Sequence, residues 1–170
     1  MTKMTAPSFR ELSQEECAEV LDRNHVGRVA FTFRDRVDVE PINYVYAHPW
    51  LHGRTALGTK LFTLQRHPWV AFEVDEVEGL FDWRSVVVHG VVDLLNPAAT
   101  PADDEAYADT LTQLRRLLPE TLTVSDPFPG RAVLFRIHID SLTGRAASSG
   151  SGGSGTAARR TTRSAAKRRR

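Results

Sequence analysis

A single cysteine, Cys17, stands among the 170 residues. An intrachain disulfide and any zinc site built on paired cysteines are therefore excluded, and the usage fits a reducing compartment. No apolar run approaches the roughly 18 residues that a membrane-spanning helix needs. The opening MTKMTAPSFRELSQEE lacks the apolar segment of a secretion signal. A cytoplasmic protein with no membrane contact is the expectation. Neither a GxSxG elbow nor a Ser-His-Asp pattern is found, which removes the common serine-hydrolase layouts. Histidine offers no metal site either. His48 and His52 are four apart, but Pro49 between them rules out a helical pair. His25, His67 and His138 have no partner at ligand spacing, and His89 lies in a valine-rich segment.

Charge is unevenly spread. Eight of the 22 Lys and Arg residues lie in 145–170, with none of the 21 acidic ones, so residues 1–144 carry 14 basic against 21 acidic groups, a net of −7. The segment SSGSGGSG (148–155) reads as a flexible linker, and TAARRTTRSAAKRRR after it has no apolar face. The chain thus divides into a domain over 1–144 and a disordered linker with a basic tail over 145–170. Lys167 to Arg170 on that tail could contact nucleic acid by counterion release, or could simply aid solubility.

Within the domain the pattern alternates between helix and strand. SQEECAEVLDRN (13–24) opens with the capping-box pair Ser13 and Glu16, and Leu12 with Cys17 can form a hydrophobic staple. Cys17, Val20 and Leu21 share one face, where Cys17 reads as a buried apolar side chain. Strands are predicted at 27–33, 37–47, 50–54, 69–77, 83–95 and 131–140. Arg34–Arg36 is short and polar enough for a hairpin, and His48-Pro49 makes a turn. A short helix over 57–67 is stopped by Pro68. Thr100, Pro101 and the acids Asp103, Asp104 and Glu105 start a further helix, with Tyr107, Leu111, Leu114 and Leu118 on one stripe. Six short strands with a few helices outside them suggest a small antiparallel barrel of α+β character.

Two segments carry chemistry. Pro41 cannot donate to a ladder, so it marks an edge, a bulge or a strand opening toward a ligand. In GRTALGTKL (53–61) a strand ends, the chain turns and a helix begins. Free N–H groups and the dipole at a helix start attract phosphate. Arg54 adds a planar bidentate donor, Lys60 a point charge, and Thr55 and Thr59 two hydroxyls. Read by itself, the segment is either an anion site or ordinary solvated surface.

In order along the chain, GRVAF (27–31), PINYVY (41–46), GRTALGTKL (53–61), WVAFEVDEV (69–77) and WRSVVVHG (83–90) resemble the successive motifs of the pyridoxamine 5′-phosphate oxidase-like FMN-binding split-barrel proteins. The nitroimidazole-resistance-type reductases are the branch most resembled, and the likeness runs from about Leu12 to Ile139. It implies a mainly β, α+β fold: a six-stranded antiparallel split barrel with flanking helices, acting as a homodimer.

It also implies roles. Arg54, Thr55, Thr59 and Lys60 would hold the FMN phosphate. Pro41, Ile42, Asn43 and Tyr44 would line the flavin ring, and Trp83, Arg84 and Ser85 would approach it, often across the dimer interface. By residue type alone, Tyr44 is equally a core aromatic, and core or interface packing is the favoured reading of Trp83. The implied activity is that of an FMN-dependent oxidoreductase reducing a small aromatic or nitro-aromatic substrate, with no metal and no catalytic side chain identified. F420 or haem could replace FMN in the same fold, and a flavin-binding protein without turnover is the remaining alternative.

Overall fold

The computed structural model describes residues 5–97 and 100–150, without the side chains of residues 5, 59–61 and 150. Ten elements follow in order: β1 (Thr5–Glu11), α1 (Gln14–Arg23), β2 (Val26–Phe33), β3 (Arg36–Ala47), β4 (Trp50–Thr55), α2 (Thr59–Arg66), β5 (Trp69–Gly79), β6 (Asp82–Leu94), α3 (Pro101–Leu117) and β7 (Val133–Gly150). All strand pairings are antiparallel. Following the ladders from β7 through β4, β3, β2, β5 and β6 returns to β7, so six strands close a ring. The expected six-stranded barrel is this ring. β1 is a seventh strand laid on the outer half of β7, and no sequence pattern marked it.

Local chemistry sets the elements. Ser13 accepts from the Glu16 N–H at 3.1 Å while the Glu16 carboxylate accepts from the Ser13 N–H at 2.9 Å, completing the capping box. The helix then turns Cys17, Val20 and Leu21 into the core, each fully buried. The β2–β3 hairpin turns through Arg34 and Asp35 at φ 49° and 61°, the left-handed pair that a two-residue hairpin of matching twist requires. Thr100 caps α3 by accepting from the Asp103 N–H. The face α3 buries most deeply is Ala106, Thr110 and Leu114, with Tyr107 and Leu111 only partly covered. The expected stripe is thus rotated, because Thr110 docks on the buried His52 of β4, Oγ1 to Nδ1 at 2.9 Å.

β7 corrects the domain boundary. Arg145–Gly150, expected to begin a disordered tail, continues the strand and pairs with β1, and Arg145–Ala147 also pair with β6. Small residues resemble a linker in sequence, yet here smallness is a packing requirement. A Cβ on Gly144 would sit 2.6 Å from Cys17 Sγ and 2.9 Å from Leu12 Cδ1, and Ala146 and Ala147 are both buried. The expected disordered stretch from residue 151 onward lies outside the described residues.

One apolar cluster fills the barrel, with Phe72, Tyr44, Val74, Val86, Val88 and Ile137 at its centre. A second, smaller one seats α3 on Val45 and Leu134. No helix among the described residues is long and apolar enough to cross a membrane.

Candidate functional site

The barrel is open along one seam. β3 and β4 pair from Ala47↔Trp50 to Tyr44↔Gly53 and no further. Beyond that point β3 stays with β2 over 36–43, while Arg54 and Thr55 of β4 stay with β7. Pro41 is the local reason. The Tyr44 N–H bonds to His25 O on the β2 side, so by alternation the backbone groups of Asn43 and Pro41 face the β4 side. Pro41 has no N–H to offer there, and a ladder to β4 cannot run through it. The strands part around a cleft of about 430 Å³, lined by Glu40, Pro41 and Ile42 on one wall and Arg54, Thr55, Ala56 and Gly58 on the other, with Arg131 in the loop just before β7.

Arg54 is held from below. Its Nη1 and Nη2 donate to the two carboxylate oxygens of Asp126 at 2.5 and 3.1 Å, and the pair is almost fully covered, with 10% and 1% of the side chains exposed. The same carboxylate accepts from the backbone N–H groups of Leu122 and Phe128, both at 2.8 Å. Bonds from Arg54 first, then from those two N–H groups, hold Asp126 far below the usual carboxylate range against the opposing effect of burial. Two of the five guanidinium donors go to Asp126, which leaves three for a ligand.

The rest of the wall supplies further donors. Thr55 is buried, and among the described residues its hydroxyl has only a long 3.4 Å contact to Ala56 O, so it can turn to an incoming acceptor. Gly58 is the N-cap of α2 and gives no side-chain cap, which leaves the first helical N–H groups unsatisfied at the cleft edge. The side chains of Thr59 and Lys60, the other two expected phosphate ligands, lie outside the described residues. A cleft with a covered arginine, a weakly held hydroxyl and an uncapped helix start fits a phosphoryl group on the chemistry of its donors. Glu40 places a carboxylate on the opposite wall.

The expected ring-lining stretch divides. Pro41 and Ile42 line the cleft and Asn43 is exposed beside it. The Tyr44 side chain does not join them. It is fully buried, donates its hydroxyl to Leu21 O at 2.8 Å and meets the Phe72 ring edge-on at 4.9 Å. Desolvation raises its pKa, as expected of a core phenol. Of the two readings open in the sequence, the core aromatic is the one seen.

Trp83, Arg84 and Ser85 lie elsewhere in this chain. Trp83 pairs with Ala147 on β7, whereas Arg54 pairs with Leu134 on the same strand. At about 3.3 Å per residue these positions are roughly 40 Å apart along the strand. Trp83 and Arg84 border a separate cavity of about 690 Å³ with Arg10, Arg23 and Glu76, and Ser85 donates to Glu73 at 2.9 Å. Within one chain they do not reach the Arg54 cleft.

Asp126 and Arg131 were missed from sequence. Their signal was slight: SDPFPG (125–130) is a turn-rich loop, in which an Asp commonly bonds backbone N–H groups close by. Nothing local links it to Arg54. Among the described residues no group of three His, Cys, Asp or Glu side chains could hold a metal ion.

Comparison with known proteins finds chains of similar sequence and fold. A FAD-binding protein of Mesorhizobium loti is 28% identical, with a TM-score of 0.65 over 84% of this chain and 99% of that one. A candidate pyridoxamine 5′-phosphate oxidase of Corynebacterium glutamicum is 29% identical, with a TM-score of 0.60 over the same shares. A candidate 5-nitroimidazole antibiotic resistance protein of Bacteroides thetaiotaomicron, at 16% identity and a TM-score of 0.62 over 84% and 89%, shares the fold. The family described as Pyridoxamine 5′-phosphate oxidase matches residues 13–146, from the cap of α1 to the buried alanines of β7. With its closed ring, its seam at Pro41 and its phosphate-fitting cleft, the chain belongs to that pyridoxamine 5′-phosphate oxidase-like family of flavin-binding split barrels.

Proposed function

We propose that this protein is a flavin-dependent oxidoreductase that holds the riboflavin 5′-phosphate in the Arg54 cleft and reduces a small aromatic or nitro-aromatic compound. The observation that carries this is the clustering of Arg54, Thr55 and the uncapped start of α2 around one opening in the barrel seam. Arg54 and Thr55 would take the phosphate, with Thr59 and Lys60 beside them in the first turn of α2. Pro41, Ile42 and Asn43 would border the flavin. FMN carries the phosphate these groups suit, and the FAD-binding relative extends the range to the dinucleotide. The flavin supplies two-electron redox chemistry when bound, and this chain's residues anchor it and exclude water from one side.

A homodimer belongs to this reading. Val37, Val39 and Trp69 are 67%, 60% and 69% exposed on the face of the sheet turned away from the core, an apolar surface that a second copy would cover. Trp83, Arg84 and Ser85, remote from the cleft of their own chain, would then approach the partner's flavin.

The purified protein is expected to show flavin absorbance or to take up added FMN. Arg54→Gln should weaken that uptake by about tenfold or more. Parallel titrations with F420 and haem discriminate the other cofactors known for this fold. Absence of flavin absorbance together with failure to bind added FMN would remove the proposal.

A further inference from the structure

Arg54 and Arg131 line one cleft, but their surroundings differ. Arg54 lies on the floor, neutralised by Asp126. Arg131 is exposed and has no ion-pair partner among the described residues. Thr55 pairs with Val133, so Arg131 lies two residues beyond the end of that ladder, on the mouth side. Its guanidinium stands 5.9 Å from the centroid of the Phe128 ring, which is 56% exposed. The Arg131 N–H donates to Phe128 O at 3.0 Å, closing a turn between them. Asp126 ties that turn to the floor, because the carboxylate that grips Arg54 also accepts the Phe128 N–H.

A guanidinium beside an exposed aromatic face, fixed at the mouth of a phosphate cleft, matches what continues past the inner phosphate of a flavin dinucleotide. A second phosphate would meet Arg131, and an adenine ring would stack on Phe128 or on the guanidinium plane. We propose that Arg131 and Phe128 form a second recognition element that makes the cleft selective for FAD over FMN. This rests on the flavin reading of the Arg54 floor and adds the choice between the two nucleotides.

Quenching of flavin fluorescence on titration of the full chain tests it, with FMN and FAD as the two probes. The wild-type protein should bind FAD about tenfold more tightly than FMN. Arg131→Ala should cut FAD affinity by about tenfold while FMN changes by less than about twofold. Phe128→Ala should act in the same direction, and Phe128→Tyr, which keeps the aromatic face, should restore the preference. Thermal melting of each variant confirms that it is folded. Equal or tighter binding of FMN by the wild type, or an equal loss for both nucleotides in Arg131→Ala, overturns the selectivity while leaving the flavin reading standing. If the wild type binds neither, the flavin reading falls with it.

Discussion

Asp126 receives the guanidinium of Arg54 on both of its oxygens although the two residues are 72 positions apart. The contact joins the end of β4 to the loop before β7, and through the Leu122 and Phe128 N–H groups it also shapes that loop. Leu122, at φ 55°, is a non-glycine residue in the left-handed region, and its N–H is one of those held. One carboxylate thus positions the Arg54 guanidinium and fixes a strained turn.

The pH dependence of stability follows from that carboxylate. Its pKa is lower in the folded state than in the unfolded chain, where it is about 3.9. The stability it contributes is therefore fully present above that unfolded value and is lost as pH falls through the folded one. Melting curves from about pH 6 to about pH 2 should show the wild type losing stability in the acid range. Asp126→Asn should start lower at neutral pH and fall less steeply. Curves of equal slope for the two proteins would contradict this role.

Tyr44 gives a contrasting test, since it is structural and not a ligand contact. Tyr44→Phe removes the hydroxyl bonded to Leu21 O and should cost about 1 kcal/mol. Tyr44→Ala opens a cavity beside Phe72 and should cost roughly 3–5 kcal/mol. Urea unfolding measures both. FMN affinity of the folded Tyr44→Phe protein should stay within about twofold of wild type, and a larger loss would return Tyr44 to the site.

Glycines separate by what a side chain would meet. A Cβ on Gly90 would lie 2.0 Å from the His138 carbonyl oxygen, at the register shift between β6 and β7. Gly90→Ala must move backbone and should cost about 1–3 kcal/mol or more. Gly58, extended and with nothing within 4 Å, should accept alanine with a change within about 0.5 kcal/mol. Denaturant midpoints at unchanged slope decide the comparison.

The proposed dimer predicts a specific failure. Val39→Glu places a charge in the middle of the exposed apolar face. Sedimentation velocity at micromolar concentration should give a dimer for the wild type and a shift toward monomer for the variant. A wild type that sediments as a monomer would refute the shared site.

For the tail, a chain ending at Gly150 keeps all of β7 and removes seven of the eight basic residues beyond 144. If that segment binds nucleic acid, DNA affinity should weaken on truncation. The dependence of log K on log salt should flatten by about 0.9 for each phosphate that the shortened chain no longer neutralises. Unchanged retention at low salt would dispose of the idea.

The helix starts, the hairpin at 34–36, the six ring strands and the placement of Pro41 were all legible in the sequence. Each depends on residues within one turn or one strand: a cap and its acid three positions on, alternation, or a missing N–H. The Arg54 segment was legible for the same reason as a choice between an anion site and solvated surface, since strand end, glycine and helix start are contiguous.

Tertiary structure decided the rest. Asp126 reaches Arg54, and Arg131 the cleft, only because β7 closes the ring beside β4, a long-range pairing that no local pattern encodes. Tyr44 turns inward because its strand packs against α1 and Phe72, although its neighbours in the sequence line the cleft. Beyond 144 the strand continues to Gly150 among the described residues, because Gly144 fits against Leu12 and Cys17 and the small Ala146 and Ala147 are buried where β1 and β6 flank it. Local propensity chose the elements, and close packing between distant ones chose which side chains meet at the seam.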